Sequence, residues 1–312
     1  MKAAAETLRG VAIRTPLLPA HWLSEQIGAE VRLKCENLQR AGAFKLRGAY
    51  TMIARMPEAE QRRGVIAYSS GNHAQGVALA ARLFGIEATV VMPTTAPAIK
   101  VEGARALGAE VVLEGTTSSQ RQAKAESIAA ERGLMIVPAF DHPDIIAGQG
   151  TVGLEILEDW PEVEIIIAPI GGGGLAAGIA AFVKAEQPGC EVVGVEPEAA
   201  DAMTRSLEAG SPVTIPSRPT IADGLMPIRP GDLTFAHARA LIDSVVLVDD
   251  AEIATAVTAV MTRSKLVVEP SGAATVAALM AGRIDAGGRR IVAVLSGGNL
   301  DPVRAAAFLA GR

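Results

Sequence analysis

Apolar and polar positions along this chain form two alternating patterns. Short runs of apolar, β-branched residues alternate with Ala-rich stretches in which apolar residues recur at a helical period. The apolar runs predict strands at Val65 to Tyr68, Ala88 to Met92, Glu110 to Leu113, Ile165 to Ile170, Glu191 to Val195 and Arg290 to Leu295. Because strands alternate with helices, we predict a doubly wound α/β protein with mostly parallel sheets and ligand sites at the carboxyl ends of its strands.

Three loops that follow predicted strands are rich in glycine and small polar residues. They are Ser69-Ser70-Gly71-Asn72-His73, Gly171 to Gly174, and Ser296-Gly297-Gly298-Asn299. Turn chemistry explains any one of them alone, since Gly, Ser and Asn tolerate unusual backbone angles. Each loop also precedes a predicted helix, so the three occupy equivalent places in the topology and would converge on one crevice.

The stretch from Ile165 to Val183 has no charged residue and approaches the length of a membrane span. Pro169 and the glycines that follow it would break a lone helix in lipid but suit a strand, a loop and a new helix. We therefore expect no membrane association.

Composition narrows the class of protein further. The 312 residues are 49% hydrophobic, enough for one large core or two modest ones. The net charge of -5 comes from dispersed side chains without a basic stripe, so no nucleic-acid partner is expected and small-molecule chemistry is favoured. Cys35 and Cys190 are too few and too far apart for a disulfide framework, and Met1 to Arg14 lacks the apolar run of a signal peptide. These features predict a cytoplasmic protein.

The segment Gly171 to Gly174 lies between an apolar strand and an apparent helix, so its N–H groups can hold a phosphate. A rival interpretation stays open on spacing alone. Gly171, Gly173 and Ala176 fit a relaxed dinucleotide fingerprint, with Glu191 or Glu196 about 20 residues further on for a ribose.

Lys45 follows the strand-like run Val31 to Glu36 and precedes a helical run. Its surroundings lack the glycine and lysine spacing of a P-loop. Most lysines at such a place are solvated charges at the start of a helix. The motifs elsewhere in the chain change this expectation for Lys45.

Seven segments with glycine or a reactive side chain are spread over nearly the whole chain. They are Gly42 to Ala49, Ser69 to Gly76, Ala147 to Thr151, Gly171 to Gly174, Ile221 to Gly224, Glu269 to Gly272 and Ser296 to Asn299. In this order they resemble the serine/threonine dehydratase and serine racemase family of fold type II pyridoxal phosphate enzymes. The resemblance implies a two-domain, tryptophan synthase β-like fold.

The same resemblance implies the site residues. Lys45 would carry pyridoxal 5'-phosphate as a Schiff base, Phe44 would pack beside it, and Asn72 would hydrogen-bond the ring hydroxyl. The phosphate would lie on Gly171, Gly172, Gly173, Gly174 and the N–H of Leu175, and Ser296 would face the pyridine nitrogen. The substrate carboxylate would bind at Ser69, Ser70, Gly71, Asn72 and His73, although a structural role is favoured for His73.

The implied reaction is β-elimination from a small hydroxy amino acid, threonine or serine first, to give a 2-oxo acid and ammonia. Lys45 would be the base for the α proton, and a neutral Ser296 at the pyridine nitrogen would weaken the electron sink. Ser70 is predicted to be catalytic if it returns a proton on the cofactor face opposite Lys45, as in similar racemases. The simpler alternative is that Ser70 only orients the substrate carboxylate.

Other functions stay open in the sequence. Ala43 resembles the variant found in some 3-hydroxyaspartate dehydratases and some serine racemases, and a non-catalytic cofactor-binding relative is a further alternative. Glu196 resembles the first carboxylate of a divalent metal site, but Ala202 stands where a second is needed and the neighbouring Asp201 is out of register, so no metal is expected.

We expect a large cofactor-binding domain from residues 1–50 and 146–312 and a small mobile domain from residues 51–145. Lys45 would lie near the hinge, so closure could bring the Ser69 to His73 loop over the substrate. The family implies a homodimer. Because the chain ends at Arg312, we expect no appended regulatory domain and no feedback control by isoleucine.

Overall fold

A computed structural model describes residues 1–69, 71–96 and 98–311. Its strands are β1 Leu17–Pro19, β2 Glu30–Lys34, β3 Val65–Tyr68, β4 Ala88–Met92, β5 Glu110–Leu113, β6 Met135–Ile136, β7 Ile165–Pro169, β8 Glu191–Pro197, β9 Ser244–Val248 and β10 Arg290–Val294. Its helices are α1 Lys2–Leu8, α2 His21–Ile27, α3 Lys45–Arg55, α4 Glu58–Gln61, α5 Asn72–Phe84, α6 Ala98–Ala106, α7 Ser118–Arg132, α8 Pro143–Gln149, α9 Thr151–Asp159, α10 Gly174–Glu186, α11 Ala202–Ala209, α12 Asp232–Leu241, α13 Asp250–Ala259, α14 Pro270–Met280 and α15 Pro302–Leu309.

A six-stranded sheet forms the larger layer, in the order β1-β2-β10-β7-β8-β9. Only its edge strand β1 runs antiparallel. The central strand β7 is buried at every position, which is why its sequence is a continuous apolar run. Helices α13 and α14 cover one face of this sheet, and α9, α10 and α12 cover the other.

A second sheet has four parallel strands in the order β5-β4-β3-β6. Helices α3 and α5 pack on one face and α7 on the other. All four strands lie inside the segment predicted to be the small domain. The boundaries of the two domains and the mobility of the smaller one stay predictions.

The predicted α/β class with mostly parallel sheets is confirmed. The strands expected at Val65, Ala88 and Glu110 have the predicted bounds, and the other three end within two residues of them. The apolar stretch from Ile165 to Val183 divides into β7, a glycine loop and most of α10. In the part of the chain that the structure describes, no helix is long and apolar enough to cross a membrane.

Candidate active site

Lys45 is the first residue of α3, and its side chain points into the cleft between the two sheets. Its Nζ donates a hydrogen bond to the carbonyl of Ala139, 2.8 Å away, and lies 5.1 Å from the centroid of the Phe44 ring. Burial lowers the pKa of this amine to about 8. A lysine amine that loses its proton this readily can act as a nucleophile or as a base.

The chain just before Lys45 is fastened to the Ser296 loop. The Phe44 N–H donates to the carbonyl of Ser296 at 3.2 Å, and Ala43 forms an antiparallel bridge with Gly297. Ser296 is buried, and among the described residues its hydroxyl makes a single long contact of 3.5 Å with the carbonyl of Ser271. The structure therefore brings Phe44, Lys45 and Ser296 together, and their roles toward a cofactor stay predictions.

The loop from Gly171 to Gly174 connects β7 with the first turn of α10. Gly173 has a φ of +96°, a conformation that favours glycine. A Cβ on Gly172 would lie 2.1 Å from the Phe140 ring, so no side chain fits there. The first N–H groups of a helix have no acceptor within it, and those of α10 begin at Gly174 and Leu175. The loop fits an anion such as a phosphate.

The Ser69 to His73 loop follows β3 and begins α5. Asn72 accepts a hydrogen bond from the Asn299 side chain at 2.9 Å and donates one to a carboxylate oxygen of Glu269. Its amide is therefore held between two other loops of the cleft. Ser69 Oγ accepts the N–H of Gly71 at 3.3 Å. Ser70, predicted to be catalytic, lies outside the described residues.

His73 is buried on α5, and its Nε2 lies 2.9 Å from the carbonyl of Val137. Burial lowers its pKa to about 3, and the nearby Lys45 adds to this effect. The ring is therefore neutral at ordinary pH and serves to tie α5 to the segment after β6.

Three parts of the site went unnoticed in the sequence. The first is the segment Ala139 to Asp141. The Ala139 carbonyl accepts the hydrogen bond of the Lys45 amine, and the Phe140 ring packs on the glycine loop. The Asp141 carboxylate accepts three backbone N–H groups at the start of α12 and so caps that helix. Glu269 begins one of the seven segments named above, Glu269 to Gly272, but the resemblance implied no role for its side chain. Nothing in the local pattern marked Lys100, whose amine pairs with Asp223.

Glu196, considered above as a metal ligand, ends β8. Its carboxylate oxygens accept the N–H groups of Met203 and Thr204, each at 2.8 Å, and the Thr204 hydroxyl at 2.7 Å. It thus caps the start of α11. Over residues 1–69, 71–96 and 98–311, no group of three or more His, Cys, Asp or Glu side chains could hold a metal ion.

The residues around the cleft fit pyridoxal phosphate. The cofactor requires a reactive amine, an anion cradle and polar groups around a flat ring. Lys45 supplies the amine, the glycine loop is a cradle closed to side chains, and Asn72 is held in a fixed orientation.

Similarity to known proteins agrees with this geometry. The chain matches the model of a family described as pyridoxal-phosphate dependent enzyme over residues 8–297. It is 46% identical over 301 residues to an L-threonine ammonia-lyase of Thermotoga maritima, covering 96% of this chain and 75% of that protein. It is 43% identical over 308 residues to an L-threo-3-hydroxyaspartate ammonia-lyase of a Pseudomonas species, covering 99% and 97%. The structure of maize serine racemase matches with a TM-score of 0.95 and 37% identity, covering 99% of this chain and 95% of that one. The chain therefore belongs to the pyridoxal-phosphate dependent enzyme family and has its fold type II architecture.

Proposed function

We propose that this chain is an ammonia-lyase that eliminates the β-hydroxyl group of L-threonine or L-serine and releases a 2-oxo acid and ammonia. The observation that carries the proposal is the Lys45 amine. The amine is partly buried, and desolvation lowers its pKa to about 8. The segment that accepts its hydrogen bond at Ala139 also packs Phe140 on the glycine loop. The ammonia-lyase relatives support the reaction class.

The cofactor would be held by Lys45, Phe44, Asn72, Ser296 and the glycine loop with the N–H of Leu175. Bound pyridoxal phosphate supplies an electron sink that makes the α hydrogen of an attached amino acid acidic. Ser296 offers the ring nitrogen a neutral hydroxyl and no carboxylate, which limits that sink and favours prompt loss of the β substituent.

Lys45 acts as the base. Because burial lowers its pKa to about 8, a much larger share of the free amine is unprotonated near neutral pH than in an ordinary lysine, so Nζ can accept the α proton. The carbonyl of Ala139 orients the amine by accepting its hydrogen bond. The Ser69 to His73 loop orients the substrate through its carboxylate, with Gly71 and Asn72 as donors at the start of α5.

Replacement of Lys45 tests this proposal. Lys45→Ala should remove the cofactor absorbance band and lower 2-oxo acid release from L-threonine at least about 1000-fold, because both roles need the amine. Lys124→Ala changes an exposed lysine on α7 and should behave like the unmodified chain. Activity that survives in Lys45→Ala would refute the assignment.

Arg121 favours a second candidate, an ammonia-lyase that acts on 3-hydroxyaspartate. Arg121 lies on α7 and is buried, with 8% of the residue exposed. Its only hydrogen-bond partner among the described residues is the Ser118 hydroxyl at 3.0 Å, and its Nε has none there. A buried guanidinium without a carboxylate is costly, so a ligand that brings a carboxylate would be favoured.

The topology puts Arg121 beside the substrate loop. Helix α7 ends just before β6, and β6 pairs with the start of β3, so the first turn of α7 lies at the carboxyl end of β3. Ala125 and Ala129, one and two turns further along, pack on that sheet. This topology supports a position of Arg121 near Ser69, where the side-chain carboxylate of 3-hydroxyaspartate could reach it.

A substrate panel separates the two candidates. Release of 2-oxo acid should be measured for L-threonine, L-serine and L-threo-3-hydroxyaspartate, while the chirality of the remaining substrate is followed. If Arg121 binds a second carboxylate, Arg121→Met should lower kcat/KM for 3-hydroxyaspartate about 100-fold and for L-threonine less than about 3-fold. Arg132→Met, on the exposed side of the same helix, is the matched control. Equal losses for all substrates would exclude this role of Arg121.

We further propose a cytoplasmic homodimer. Ile13, Leu38 and Val267 are exposed. The Gln39 side chain exchanges two hydrogen bonds with the backbone of Ile13, and the Asn37 side chain donates one to the carbonyl of Val267, so the three apolar residues lie in one neighbourhood. Exposed apolar side chains grouped in this way suit a contact between subunits. A sedimentation mass of one chain at micromolar concentration would contradict the dimer.

A further inference from the structure

Lys100 connects the two sheets of the molecule. It lies on α6 beside the four-stranded sheet, and its ammonium group pairs with Asp223 in a loop of the six-stranded layer. The side chain of Lys100 is 8% exposed and that of Asp223 is 29% exposed. A pair this well shielded from water holds more tightly than one at the surface, provided that both partners stay in place.

The Lys100 side chain also supports the substrate loop. A Cβ on Gly71 would lie 3.0 Å from Cδ and 3.1 Å from Nζ of Lys100. The lysine thus lies directly against the backbone of Gly71, one residue before the Asn72 amide. Any movement of Lys100 away from Asp223 would remove this support.

The positive charge of Lys100 also affects a second carboxylate, that of Glu269. Glu269, which holds Asn72, is buried close to both partners, since Lys100 lowers its pKa and Asp223 raises it. Lys100 is therefore the counter-charge for two carboxylates of the six-stranded layer. Without it, Asp223 would lose its cation and the pKa of the buried Glu269 would rise further, so Glu269 would bind a proton and the charge balance beside Asn72 would change.

We propose that the Lys100–Asp223 ion pair is the contact that holds Gly71 and the first residues of α5, Asn72 and His73, in place beside Lys45. Lys100 is then a positioning residue for the substrate carboxylate, which it orients through Gly71. This inference rests on the proposed function only for the statement that a carboxylate binds at this loop.

Hydrogen exchange of the holoenzyme tests this contact without turnover. In Lys100→Met, Asp223→Asn and the double variant, backbone amides of residues 71–77 should exchange about tenfold faster, by a similar factor in all three, since either change alone breaks the pair. The KM for L-threonine should rise about tenfold in each, with kcat within about threefold. Asp223→Glu keeps the charge and should recover most of the protection.

The matched control is Lys184→Met. Lys184 of α10 forms another ion pair, with Asp243 at 2.7 Å, just before the edge strand β9; the Lys184 side chain is 16% exposed and that of Asp243 is 40% exposed. It should leave exchange at residues 71–77 and the KM unchanged. If Lys100→Met does not fold, Asp223→Asn tests the proposal by itself, because Asp223 is only half-buried and its replacement disturbs the fold less.

Two results would overturn the proposal: exchange unchanged in the single variants, or effects of the two changes that multiply in the double variant. A wrong lyase assignment would give a different result. If the chain does not act on L-threonine, no KM can be measured, but the amides of residues 71–77 should still exchange faster in the variants.

Discussion

At the scale of single residues, Gly172 shows how closely the phosphate cradle is built. The ring of Phe140 fills the space into which a side chain at this position would project, with ring carbons 2.1 to 2.3 Å from the place of a Cβ. Gly174 is limited in the same way, since its Cβ would lie 3.0 Å from that of Phe140. The loop can therefore face an anion with backbone N–H groups alone.

Gly172→Ala should weaken cofactor binding at least about tenfold, because relief of the clash must displace Phe140 or the loop. The Kd of the apoenzyme for pyridoxal phosphate, from absorbance titration, measures this. Gly189→Ala, with nothing within 4 Å of its Cβ, should leave the Kd unchanged. Phe140→Ala in the Gly172→Ala background should regain part of the loss, and a wild-type Kd in Gly172→Ala would contradict the prediction.

At the scale of elements, a buried charge network fixes the start of α3. Arg47, two residues after Lys45, binds Glu36 at 2.8 Å and Glu155 of α9 at 2.7 Å. Lys34 of β2 binds Glu155 at 2.6 Å. Burial alone would raise the pKa of Glu36, but Arg47 outweighs it and holds that pKa below its usual range. The helix that carries Lys45 is thus tied to both a strand and a neighbouring helix.

Arg47→Met should lower the free energy of unfolding by about 3 to 5 kcal/mol, because it leaves the buried Glu36 carboxylate without its cation and Glu155 with Lys34 alone. Urea unfolding followed by circular dichroism measures this change. The control is Arg62→Met, which removes an exposed pair with Glu58 and should cost less than about 1 kcal/mol. Similar losses in the two variants would show that the network contributes little to stability.

At the scale of the whole molecule, the cleft between the sheets gathers charges from both layers. Glu269 is the most enclosed of them. Burial raises its pKa to about 7, with Asp223 adding to the rise and Lys100 and Asn72 opposing it. Between pH 4.5 and 7 the folded chain therefore holds a proton that the unfolded chain releases. The stability that this proton contributes is full below pH 4.5 and is lost as the pH rises through 7.

The free energy of unfolding of the apoenzyme should therefore fall between pH 5 and 7.5 by more than that of Glu269→Gln. The difference should reach at most about 3 kcal/mol, since one pKa unit corresponds to about 1.4 kcal/mol. Urea titrations at several pH values measure both curves, and other groups cancel in the comparison. Parallel curves would place the pKa of Glu269 near its ordinary value.

The sequence by itself determined the α/β class, six strands and the three loops. Strands such as β7 are buried on both faces, so their apolar runs stand out between Gly, Pro and charged residues. The strands β1, β6 and β9 were not predicted. With three and two residues, β1 and β6 are too short to leave a periodic pattern, whereas β9 is a five-residue edge strand whose apolar run was not recognised as a strand. Lys45 needed the motifs of distant segments, since its own neighbours are those of an ordinary start of a helix.

Only the tertiary structure decided which charged side chains meet. Lys100 and Asp223 are 123 residues apart, and Asn72 and Glu269 are 197 apart. Local periodicity tells which face of a helix or strand is buried, but it carries no information about the partner that a buried charge finds across the core. For the same reason, no sequence pattern singled out Arg121, and its burial on α7 follows only from the packing of that helix on the four-stranded sheet.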